Sequence, residues 1–154
     1  MSDVSGARTL HRLLYVSCQK VAEADLEHEV NAIIQASIRN NREVAITGLL
    51  LVHAGWFIQA LEGNADAVMN TYRRILDDPR HDTAKVLSAG PAAGREFADW
   101  NMCARRMSDA DDAIMDTLSS RQVFDPPTLT ATAALRLLKA VRGIQERTQV
   151  GAFG

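Results

Sequence analysis

Apolar residues recur along this chain with two different periods, and the changes of period mark its elements. Residues 10–17 (LHRLLYVS) form a short apolar run with polar flanks, which predicts a strand. Leu26, Val30, Ile33, Ile34 and Ile38 recur at helical spacing, so residues 25–39 predict an amphipathic helix. Asp25 is the expected N-cap, although His28 rather than a glutamate stands three residues on. Asn40-Asn41 is the expected end, because asparagine tolerates the left-handed conformation. Residues 46–53 and 56–61 predict two strands joined by a tight turn at Ala54-Gly55. Gly63-Asn64 breaks that pattern. Ala67, Val68, Tyr72, Ile75 and Leu76 then mark a second helix, with Asp78-Pro79 beyond it. Residues 84–87 predict a fourth strand, and residues 97–103 a fifth after a loop carrying Gly90-Pro91 and Gly94.

The resulting order, β-α-β-β-α-β-β, is of the α+β class. Its first six elements match the ferredoxin-like split βαβ arrangement, with both helices on one face of the sheet. In that topology the first and third strands are neighbours. From Ser108 onward the composition shifts, and residues 109–118 and 130–147 predict two more helices separated by Asp125-Pro126-Pro127. Apolar stripes such as Leu135, Leu138 and Val141 need cover. They are expected to cap the far face of the sheet or to form a homo-oligomer contact, most simply a two-fold dimer.

The remaining bounds narrow the function. The chain has 154 residues, which suits one domain with a short appendage. With 47% apolar residues it has enough material for a core. A net charge of -2 gives no bulk attraction to nucleic acid or anionic lipid. Cys18 and Cys103 form no CxxC pair, which points to a reducing, cytoplasmic setting. No apolar run approaches the ~18–20 residues needed to span a bilayer, and no signal peptide is read at the N-terminus.

Common catalytic fingerprints are missing: there is no phosphate-binding or dinucleotide-binding glycine motif and no H-E-x-x-H. His11, His28, His53 and His81 are scattered without metal-ligand spacing. Glu62 can be read as a general base, but a carboxylate at the start of the second helix is the plainer reading. One grouping stands out. Gln59 lies inside an apolar strand and shares a face with Phe57 and Leu61. A buried amide needs partners for its donors and its acceptor. Tyr15, on the neighbouring first strand, is a natural partner. On physical grounds alone this is either a core hydrogen bond or a functional pair, and the former is the commoner.

Several segments together resemble the BLUF photoreceptor family. Residues 41–50 (NREVAITGLL) resemble its Asn-to-ITG stretch, and residues 56–63 (WFIQALEG) are similar to its F-x-Q-x-L-E-G strand. Residues 77–81 (DDPRH) resemble its D-x-R-H turn, and residues 95–102 (REFADWNM) its R-x-F-x-x-W-x-M strand. The likeness runs from Leu10 to Met102, in the right order, around Tyr15. It implies a flavin-binding unit over residues 9–104 and a helical extension over residues 108–147.

The resemblance further implies a blue-light receptor that holds a noncovalent flavin: FAD, with FMN as the alternative. Tyr15 matches the tyrosine that gives an electron and then a proton to the excited flavin. Gln59 matches the glutamine bridging that tyrosine and the ring. Asn41 matches the asparagine that bonds the ring's polar edge. Arg80 and His81 fall on the pyrimidine side, and Phe57, Ile75 and Ile33 among the apolar side chains around the ring. Ser37 can reach the flavin from the first helix. Trp100 and Met102 match the switching strand next to the site. Nothing after Met107 resembles an effector domain, so the expected output is contact with a separate signalling protein or with further copies of the chain. Enzymatic activity, nucleic acid and membrane are not expected. The contrasting readings are a flavin-free ferredoxin-like interaction module and a flavin reductase; the reductase is disfavoured because no nicotinamide fingerprint is present.

Overall fold

The computed structural model describes residues 10–106 and 126–153, with side chains described for residues 10–104 and 126–143. Five strands form one sheet: β1 (Leu10–Gln19), β2 (Thr47–His53), β3 (Trp56–Asn64), β4 (His81–Pro91) and β5 (Cys103–Arg106). Helix α1 (Glu23–Glu43) links β1 to β2, α2 (Ala65–Leu76) links β3 to β4, and α3 (Ala131–Phe153) follows a short 3-10 turn at Pro126–Thr128. The strand order is β4-β1-β3-β2-β5. The first four strands pair antiparallel and β5 joins β2 in parallel, so the expected ferredoxin-like order carries one added edge strand.

Alternation along the strands builds two cores. Leu13, Tyr15, Leu50, Val52, Phe57 and Leu61 face α1 and α2, where they meet Leu26, Val30, Val68 and Tyr72. Leu14, Val16, Leu49, Leu51, Ile58 and Ala60 face the other way and meet Ala134, Leu137, Leu138 and Val141 of α3. The C-terminal helix therefore caps the far face of the sheet. Thr130 starts it, its hydroxyl accepting from the Ala133 N–H at 3.0 Å. The other expected C-terminal helix, residues 109–118, lies outside the described residues.

Several boundaries differ from the sequence pattern, each for a physical reason. Helix α1 starts at Glu23 after Ala22, which makes no side-chain cap; Asp25 sits inside the first turn, where a carboxylate suits the helix dipole. Asn40 and Asn41 do not end the helix, which runs on to Glu43. Asn41 is buried, and its side chain bonds the Asn101 carbonyl at 2.7 Å, a tertiary contact that overrides its weak helix propensity. Strand β4 is longer than residues 84–87, because as an edge strand it has polar positions that hide its period. The fifth strand begins only at Cys103, so residues 97–101 are irregular. Trp100 and Met102 therefore precede β5 and do not share a strand face. Met102 joins the core beneath α1 and α2, and Trp100 packs against the core beneath α3.

The β2–β3 turn is sharp because Ala54 and Gly55 both take positive φ, 52° and 85°. Gly48 serves another purpose. A Cβ there would collide with the Ala60 carbonyl and come within 3.1 Å of the Met102 methyl carbon. Its absence lets β2, β3 and the Met102 side chain close together.

Candidate functional site

The register of β1 and β3 places Tyr15 directly opposite Gln59. Both are almost fully buried. The Tyr15 phenol donates to the Gln59 Oε1 in a short hydrogen bond. The other end of the amide, Nε2, donates to the Met102 sulfur at 3.2 Å. The chain phenol–amide–thioether thus runs across the sheet from β1, through β3, to the segment before β5.

An aromatic cluster surrounds the phenol. The Tyr72 ring lies 5.3 Å from that of Tyr15, and the His81 ring 6.3 Å away. Burial is the main cause that pushes the Tyr15 phenol far above its ordinary range, with Tyr72 and Asp78 adding to it. The phenol therefore keeps its proton in the resting site. His81 opens β4, with its Nε2 at 2.6 Å from the Ile75 carbonyl and its Nδ1 at 2.7 Å from the Ser17 hydroxyl. Since a carbonyl only accepts, Nε2 carries the hydrogen, and a neutral ring then accepts from Ser17 at Nδ1. His81 is so tied between β1 and the end of α2, with its ring 6.1 Å from that of Phe57.

Two adjoining pockets open between α1, α2 and the sheet. Both are lined by Ile33, Ser37, Gln59, Ile75, Asp78 and Arg80. One extends to Tyr15, Phe57 and His81, and the other to Asn40, Asn41, Thr71, Arg74 and Met102. The fold thus brings all nine expected cofactor residues, from α1, β1, β3, α2, β4 and the turn before β4, around one crevice. Trp100 stands apart from both pockets.

Arg80 is held by two carboxylates of the protein. Its Nε and Nη2 grip Asp78 at 2.9 and 2.6 Å, and Nη1 reaches Glu29 at 3.4 Å. The guanidinium holds the Asp78 carboxyl below its ordinary range, and Asp78 in turn raises Arg80. Pro79, between them, does not displace Arg80 from the crevice.

Sequence reasoning missed Thr71, Arg74 and Asp78 as lining residues. Thr71 precedes Ile75 by one helical turn, so helical spacing from that residue would have found it. Glu62 is neither a base nor a helix-start carboxylate. It is fully buried on β3 and accepts from Arg12 Nε at 3.0 Å, Thr47 at 3.2 Å, and the Glu96 and Phe97 N–H groups at 2.7 and 3.0 Å. It anchors the loop that leads to Met102.

The crevice suits a flavin ring on its own chemistry. Ile33 and Ile75 offer apolar walls from two helices, while Asn41, Arg80 and Gln59 offer hydrogen-bonding groups at the edges. The buried Thr71 hydroxyl lacks any protein partner, as expected where a ligand atom completes the site. Among the described residues, no three His, Cys, Asp or Glu side chains come together to hold a metal. None of the helices searched among these residues is long and apolar enough to cross a membrane.

Comparison with known proteins agrees with this chemistry. The family model for BLUF, sensors of blue-light using FAD, matches residues 10–103. The photoactivated adenylate cyclase subunit beta of Euglena longa is 35% identical over 103 residues, a stretch making up 65% of this chain and 12% of that relative. The chain thus spans a small part of the length of the adenylate cyclase subunits it matches. The dark-state structure of BlrB, a BLUF protein, is 28% identical with a TM-score of 0.70, covering 88% of this chain and 98% of that one. A bacterial light-regulated adenylyl cyclase is 32% identical with a TM-score of 0.64, covering 72% of this chain and 33% of that one. A family match across well over half of the chain, falling on the strands and helices that frame the crevice, makes this protein a member of the BLUF family of flavin-based blue-light sensors.

Proposed function

We propose that this chain senses blue light through a noncovalent FAD in the crevice between α1 and α2, and signals by contact with a separate protein rather than by catalysis of its own. The bound flavin supplies the blue-absorbing chromophore and the electron acceptor. The reading rests on one observation above others: Tyr15, Gln59 and Met102 form a continuous hydrogen-bonded line along the crevice.

In this reading Tyr15 gives up an electron and then its phenolic proton. Oxidation turns a very weak acid into a strong one, and the proton would leave along the existing bond to Gln59 Oε1, the amide relaying it toward the cofactor that took the electron. Gln59 is suited to answer, because its amide has distinct donor and acceptor ends. Reorientation exchanges the end presented to the flavin, and it also replaces the N–H that faces Met102. Asn41, Arg80, His81 and Ser37 hold and orient the cofactor, and Ile33, Phe57 and Ile75 exclude water from it. Residues 9–104 act as the sensor, and residues 108–147 as the extension through which output reaches a homodimer contact or a cytoplasmic partner. FMN in place of FAD leaves this scheme unchanged.

The purified protein is expected to be yellow, to release its flavin on acid precipitation, and to shift its absorption reversibly to the red under blue light. A colourless, folded protein that takes up no flavin would instead support a flavin-free interaction module.

A further inference from the structure

Thr71 is buried on α2, yet its Oγ1 is the one buried side-chain polar atom, among the described residues, without a hydrogen-bond partner. A buried threonine inside a helix can return its hydroxyl to the carbonyl one turn back. Here it does not. An unsatisfied buried hydroxyl is costly, so its persistence against an open pocket points to a partner that arrives with a ligand.

The position narrows which part of the ligand. Thr71 lines the compartment that holds Asn40, Asn41 and Arg74, and is absent from the one that holds Tyr15, Phe57 and His81. Its compartment is the more polar end of the crevice. Resting on the flavin reading above, we propose that the Thr71 hydroxyl is a ligand of the flavin's pyrimidine edge, sharing that edge with Asn41. The apolar face of the same helix turn is supplied by Ile75, four residues on.

The test uses Thr71→Val, which keeps the shape and deletes the hydroxyl, with Thr71→Ser as the conservative control. Affinity is read from the flavin released on dilution, for protein loaded with riboflavin, FMN or FAD. The valine variant is expected to bind each of the three about fivefold more weakly, the equivalent of one ordinary hydrogen bond. The serine variant should recover to within about twofold of the parent on the same basis. A carbonyl stretch of the bound oxidised flavin should rise in the valine variant and return in the serine one. The sign should reverse without flavin: apo Thr71→Val should melt no lower than the parent, because it removes an unpartnered group. Unchanged affinity in Thr71→Val, or a loss confined to FAD, would overturn the assignment. So would an apo protein destabilised by valine, since the hydroxyl would then be structural. Parent protein that binds none of the three flavins would bring down the flavin reading, and this inference with it.

Discussion

Gln59 donates its amide N–H to the sulfur of Met102 at 3.2 Å. A thioether is a weak acceptor, so the amide is held firmly at its oxygen, by Tyr15, and loosely at its nitrogen. Changing ends therefore costs little at the sulfur, and the stronger bond at the oxygen is released only when Tyr15 gives up its phenolic proton. Met102→Ala should therefore keep the flavin and the red shift. It should slow dark recovery about twofold to fivefold, because the resting orientation loses a weak contact worth under ~1 kcal/mol. Recovery as fast as in the parent, followed by absorption after a light pulse, would show that the sulfur does not hold the resting amide.

Gln59→Leu removes both amide ends and keeps nearly the same volume. Flavin binding should survive on Asn41, Arg80 and the isoleucine walls, while the reversible red shift is lost. Difference spectra before and after blue light decide this, and an intact photocycle in the leucine variant would reduce Gln59 to a core residue.

Much of this site is legible in the sequence, because strand alternation and helical spacing are local. Gln59 within an apolar strand announced a buried amide, and the β1–β3 neighbourhood supplied Tyr15. What escaped depends on tertiary contacts. Asn41 looks like a helix terminator until Asn101 is seen to hold it inside the last turns of α1. Trp100 and Met102 look like strand partners, but the Glu62 carboxylate captures the N–H groups of Glu96 and Phe97, and Gly48 donates to the Trp100 carbonyl. Those bonds keep residues 97–101 out of a regular strand and send the two side chains to different cores.

Tyr15→Phe deletes the phenolic proton while keeping the ring packed against Tyr72. Stability should fall by about 1–3 kcal/mol, because the buried Gln59 Oε1 loses its donor, yet the larger effect should be that the red-shifted state fails to form efficiently. Tyr72→Phe is the matching control, since its ring lies 5.3 Å away but makes no bond to Gln59. Loss of the photocycle in that control, with Tyr15→Phe active, would reverse the assignment.

Alkaline pH offers an independent check on Tyr15. Its folded phenol is raised far above the ordinary value of 10.0, mainly by burial. The unfolded chain therefore loses this proton first, so stability is full at neutral pH and declines once pH rises above that ordinary value. Tyr15→Phe should flatten that decline in melting temperature, and a slope identical to the parent's would mean that another group dominates it.

Output should run from Met102 to α3 through residues 96–101, the segment that leads into Met102 and touches the helix. Phe97 is buried in the same core cluster as Leu137, Leu138 and Val141 of the helix. Arg142 of α3 donates to the Glu96 carbonyl at 2.6 Å and reaches its carboxylate at 3.2 Å. Lys139 approaches the same carboxylate at 3.7 Å. These partly exposed ion pairs contribute only ~0.2–1 kcal/mol, which suits a coupling that light must be able to shift. Hydrogen exchange in dark and light should differ at residues 97–106 and along α3. Glu96→Gln combined with Arg142→Gln should retain the flavin red shift while shrinking the light-dependent difference in α3. An unchanged difference in that double variant would mean that the signal leaves the site by another face, and identical exchange in dark and light across both segments would remove this route altogether.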